Sequence, residues 1–181
     1  MIDLLVPTVV QRLTEILPAT LSEKERKGRS VEVARRALAL ELDRNLSVIR
    51  SCLGDPAKLS AKDAALIRAL VRRLDVSIAI TLYTEWSAEI DFVAALDAKT
   101  EKVLKTILTE KPLPGPSAKR QGKEIKPSDL LDFIARKVPE MQIIDSVVGD
   151  PDFKPLCRLD WPKRIQNLTD VMKALLQALR A

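Results

Sequence analysis

The sequence predicts an all-α protein. The expected architecture is an irregular bundle of about five to seven helices, with one long central helix or a broken helix pair, in a single domain over residues 1–181. Three observations lead there. Apolar residues make up 46% of the chain and aromatics only 3%, so the core must be mostly aliphatic. That composition suits packed helices better than a β-sandwich, which relies on β-branched and aromatic side chains. Apolar residues also recur at helical spacing along most of the chain. Finally, only Val76, Ile78, Ile80 and Leu82 alternate as a strand would, and no second such run exists to pair with them. An isolated strand leaves backbone groups unsatisfied, so helix is expected there too.

Residues 2–17 place Leu5, Val9, Leu13, Ile16 and Leu17 on one helical face, with Pro7 in a first turn and Pro18 as the stop. This amphipathic segment is expected to pack on its own domain rather than lie on a membrane. Residues 21–29, "LSEKERKGR", read as a charged connection, and Ser30 as the N-cap of a helix over 31–53. Val31, Ala34, Leu38, Leu42, Ile49, Cys52 and Leu53 form its main stripe. Val33, Ala37 and Leu40 lie on another face, so the first half should be covered on two sides. Gly54 suits the position just past the helix, and Asp55-Pro56 prevents continuation.

Ser60 to Asp63 forms a variant capping box ahead of a helix from residue 61. Ile67, Leu70, Val71 and Leu74 form its apolar side. Helix then reaches about residue 110, either unbroken or with a break near 75–77. Residues 111–128 form a basic, Pro- and Gly-rich connecting loop. Ser128 should cap the next helix, Pro139 should interrupt it, and 141–148 should form a short helix of its own. Asp160 caps the last helix with Pro162 in its first turn. Gly54-Asp55-Pro56 and Gly149-Asp150-Pro151 each follow an apolar helix, and this is read as ordinary helix-stop chemistry rather than an internal repeat.

Histidine is absent. This removes His-based acid–base work, Ser-His-Asp and Cys-His nucleophiles and every His-containing metal site. Two cysteines, Cys52 and Cys157, are too few for a zinc site or a disulfide framework, and are read as reduced, partly buried thiols. No Gly-rich phosphate loop is present. No cofactor and no metal are expected. With no signal peptide and no run of about 18 apolar residues, a membrane span is not expected and a cytoplasmic location is.

Net charge is +5, and its placement is uneven. Residues 111–128 carry five basic residues against one acid, and residues 23–36 carry six against three. Candidate polyanion contacts are therefore Lys119, Arg120, Lys123 and Lys126 in the loop, Arg35 and Arg36 near the first segment, and Arg68 and Arg72, one helical turn apart. Arg73 lies beside them. Lys163 and Arg164, at the start of the last helix, are placed to suit an anion. Residues 111–129 contain no aromatic residue, so any nucleic-acid contact would be electrostatic and sequence-nonspecific.

Two polar residues interrupt apolar stripes: Asn45, between Leu42 and Ile49, and Glu89, between Trp86 and Val93. Both are candidates for buried polar contacts, which would fix helix register. Glu85, Glu89 and Asp91 together are a weak candidate for a carboxylate-dependent hydrolase; the Glu-x-x-Glu and Glu-x-x-Asp pairs of helical pyrophosphohydrolases do not occur. The leading functional expectation is a non-enzymatic interaction or scaffold protein. It would present amphipathic helices, chiefly the N- and C-terminal ones, to a protein partner or to a second copy of itself. The alternative is a nucleic-acid-binding accessory subunit using residues 23–36 and 111–128.

Overall fold

The computed structural model describes residues 23–84, 92–110, 113, 125–147 and 160–181. Among them the regular elements are six α-helices and two short 3₁₀ turns: α1 (Glu23–Leu53), the turns Pro56–Lys58 and Ala61–Asp63, α2 (Ala64–Val71), α3 (Ser77–Thr84), α4 (Phe92–Glu110), α5 (Pro127–Val147) and α6 (Trp161–Arg180). The fold is an all-α bundle of the expected kind. Its centre is α6, which packs against α1, α2, α4 and α5. Ile165, Leu168, Met172 and Leu175 of α6 are fully buried. Most of the wide apolar face of the C-terminal helix is therefore buried in the core.

Several local signals act as the sequence implies. Gly54 ends α1 with φ +69, a left-handed conformation that glycine adopts without strain. Its N–H donates to the Arg50 carbonyl at 2.9 Å. At Ser60, the Asp63 carboxylate accepts the Ser60 N–H at 2.8 Å, and Ser60 Oγ accepts the Lys62 N–H at 3.3 Å. The chain first makes a 3₁₀ turn there, so α2 proper starts at Ala64. Asp160 caps α6 by accepting the Lys163 N–H at 3.1 Å.

Other expectations are corrected. The charged segment 21–29 is not a connection from residue 23 onward: α1 begins at Glu23 and Ser30 is buried inside it. Glu, Lys and Arg are good helix formers, and Glu32 pairs with Arg35 and Arg36 at i+3 and i+4. The second face of α1 is covered only in part: Val33 and Ala37 are half-buried, whereas Leu40 is 70% exposed. Cys52 is exposed rather than partly buried, because the final turn of α1 packs through Leu53 instead. Cys157 lies outside the described residues, as do the segment 2–17, nearly all of the 111–128 loop and Gly149-Asp150-Pro151.

Pro139 does not interrupt its helix; α5 runs through it to Val147. Proline removes one backbone hydrogen bond there. Val138 and Met141, both fully buried on either side, hold the helix together regardless. Ser128 is not an N-cap but a first-turn residue, since α5 starts at Pro127. The predicted helix from 61 toward 110 is broken. α2 ends at Val71, an elbow covers 72–76, and α3 starts at Ser77.

Candidate functional site

The elbow between α2 and α3 is where buried polar chemistry concentrates. Asn45 of α1 is 1% exposed. Its Nδ2 donates to the Asp75 carbonyl at 2.5 Å and its Oδ1 accepts the Asp75 N–H at 3.1 Å. One turn earlier, Glu41 is also buried. Its carboxylate accepts the N–H of Ile78 at 2.7 Å and of Ala79 at 3.0 Å. These are orphan donors at the start of α3 that no local side chain reaches. Burial pushes the Glu41 carboxyl up to about 7, against the opposing pull of those two N–H groups; the like charge of Asp75 adds to the rise.

The other side of the elbow is held by α5. Gln142 Nε2 donates to the carbonyls of Val71 and Leu74, both at 3.1 Å, and so closes the end of α2. Asp145 has a side chain only 1% exposed. It accepts a hydrogen bond from Arg72 Nε, and Arg68 Nε lies 3.8 Å from its other oxygen. Arg68 and Arg72 do project together, but toward a carboxylate of the same chain. A third such contact closes α5: Asp97 of α4 accepts the Ser128 N–H at 2.9 Å and its hydroxyl at 2.8 Å.

The remaining basic candidates are spread out. Arg35 and Arg36 both bond to Glu32, whose carboxyl these two guanidiniums hold below its ordinary value. Arg164 donates to Glu140 of α5 at 3.1 Å, while Lys163 is exposed. Lys126 is exposed just before α5. Lys119, Arg120 and Lys123 lie outside the described residues, as do Glu85, Glu89 and Asp91. Among the described residues, no three Cys, Asp or Glu side chains gather in an arrangement that could hold a metal ion.

Sequence reading missed Glu41, Asp97, Gln142 and Asp145. Glu41 had a signal: it lies four residues before Asn45 and three after Leu38, on the buried stripe. Gln142 and Asp145 lie four and seven residues after Val138, but only if the helix passes through Pro139. Asp97 carries no local mark, because its partner is 31 residues away.

The described residues also form an open groove of about 850 Å³ between α1, α4 and α6. Its apolar lining comes from Leu46, Val103, Ile107, Leu113, Ala174 and Leu176. Charges of both signs border it: Asp43, Glu110 and Asp170 against Arg50, Lys173 and Arg180. Arg180 and Asp43 pair at 3.2 Å and so link α6 to α1 at the groove. Residues 170 to 180 of α6 line a length of about 15 Å at 1.5 Å per residue. No membrane-crossing helix occurs among the described residues. Comparison of the chain with family models, with curated proteins and with solved structures gives no match.

Proposed function

We propose that this chain is a non-enzymatic interaction protein that holds an amphipathic helix of a protein partner in the groove between α1, α4 and α6. The groove carries the reading. Its length accommodates two to three helical turns. Its apolar lining would take the i, i+3/i+4 and i+7 side chains of such a helix, a known mode of peptide recognition. Three acids and three bases beside that lining match a partner helix with charges of both signs flanking its apolar stripe. A concave surface cannot pair with its own copy about a two-fold axis, so a second chain would have to offer a different, convex face. Polyanion binding draws less support from the described residues. Arg35, Arg36, Arg68 and Arg72 all engage carboxylates of the same chain.

A photo-crosslinking side chain at Gln177, beside the groove, tests this. The crosslinked protein is identified, purified and titrated against the unmodified chain. Ile107→Asp, which puts a charge on the apolar lining, should weaken binding about tenfold or more. Leu66→Asp, at an exposed position outside the groove, should leave affinity unchanged. A purified partner that binds Ile107→Asp as tightly as the parent overturns the proposal. So does a crosslink only to a second copy of this chain. Micromolar binding to generic DNA or RNA that falls steeply with salt and survives Ile107→Asp would favour the nucleic-acid alternative.

A further inference from the structure

We infer that Glu41 is a proton-linked latch: the protonation state of its carboxyl sets how firmly α1 holds the elbow between α2 and α3. Two clamps one turn apart on α1 grip this elbow. Asn45 grips the Asp75 backbone and does not titrate. Glu41 grips the first turn of α3, with one oxygen on the Ile78 N–H and the other on the Ala79 N–H. Apolar packing also holds the start of α3, where Val76 and Ala79 are buried in the core, and the latch acts on top of that packing. Asp75 accepts the Ser77 N–H at 3.1 Å, and Thr84 bonds only within its own helix.

The groups around Glu41 bear on the direction of the switch. From the elbow, Asp75 faces it and opposes its ionisation, and the Ser77 hydroxyl favours it. On α1, Arg44 lies 3.9 Å from Asp75. From α2, Arg68 and Arg72 are engaged by Asp145 of α5. From α5, Asp132 and Arg136 meet Tyr83 at the far end of α3, about 7.5 Å along the helix from Ile78. Closed, Glu41 is buried and holds its proton up to about 7. Open, it meets water and returns to the ordinary carboxylate value. A group that binds its proton more tightly in the closed state favours that state at low pH, and the advantage is lost as pH rises through neutrality. The latch therefore loosens with rising pH.

Hydrogen exchange at the Ile78 and Ala79 amides reads the latch directly, with each rate normalised to the intrinsic rate at that pH. Between pH 5.5 and 8.5 their protection should fall by roughly 30-fold, as linkage requires for a carboxyl that moves from about 7 to its ordinary value on opening. Glu41→Gln keeps one acceptor and cannot ionise, so the dependence should vanish. Equal pH dependence in parent and variant overturns the latch. Should the variant fail to fold, the ¹³C shift of the Glu41 carboxyl in the parent decides. A midpoint near neutral, followed by the Ile78 and Ala79 amides, supports the inference; a midpoint in the ordinary carboxylate range defeats it.

Discussion

Asn45 does for the backbone of Asp75 what water does for an exposed loop. The elbow interrupts helical hydrogen bonding, and the Asp75 N–H and C=O then need other partners. One amide side chain supplies both an acceptor and a donor. Asn45→Ala would leave two partly buried groups unpaired, at a cost of about 2–3 kcal/mol. Urea unfolding should show this as a lower midpoint with an unchanged slope. Asp145 follows the same logic with charge. Its side chain is almost fully buried and two guanidiniums reach it, yet the Arg72 side chain is 66% exposed, so solvent screens much of that pair.

Three of the described helix ends in this bundle are closed by neighbouring helices. α3 starts on Glu41 of α1, α2 ends on Gln142 of α5, and α5 starts on Asp97 of α4. Such contacts satisfy the orphan groups of helix termini and join two elements at the same time. Asp97→Ala removes both bonds to Ser128 and should loosen the first turn of α5. The loss resembles that of an ordinary N-cap, about 1 kcal/mol. Faster amide exchange at Ser128, with exchange at the centre of α6 nearly unchanged, would confirm it. Where the cap is local, as in the Ser60 to Asp63 box, it was legible from sequence; where it comes from another helix, it was not. Pro139 adds a second lesson. Its lost hydrogen bond argues for a break only until Val138 and Met141 are seen to be buried on either side.

At the scale of the whole molecule, Glu41 makes stability depend on pH. Its native value is about 7, against an ordinary 4.5. The native state therefore binds more protons than the unfolded chain between those values. The stabilising contribution is fully present below 4.5 and is lost as pH rises through about 7. At 1.36 kcal/mol per unit the whole effect is on the order of 3 kcal/mol, and about 2 kcal/mol of it falls between pH 5.5 and 8.5. Glu32 and Glu140 act in the opposite sense, since both are lowered, and their contributions are lost only as pH falls below the ordinary carboxylate range. Neither therefore contributes to the window from 5.5 to 8.5 in which Glu41 acts. Urea midpoints should be lower at pH 8.5 than at 5.5 in the parent, and the difference should shrink sharply in Glu41→Gln.

The sequence by itself determined the helical class, the aliphatic core and the local helix boundaries: the stop at Gly54 and the starts at Ser60 and Asp160. Each of these depends on residues within a few positions of one another, where periodicity and capping act. It also singled out Asn45, because a polar residue inside an apolar stripe must find a partner. Only the tertiary structure decided which partners those are. The bonds from Asn45 to Asp75, from Glu41 to Ile78 and from Gln142 to Val71 span 30, 37 and 71 residues. Arg68 and Arg72 likewise read as a free basic pair until α5 brings Asp145 against them. The groove has the same origin: Leu46, Ile107 and Ala174 sit on three different helices, and their shared surface exists only once those helices pack.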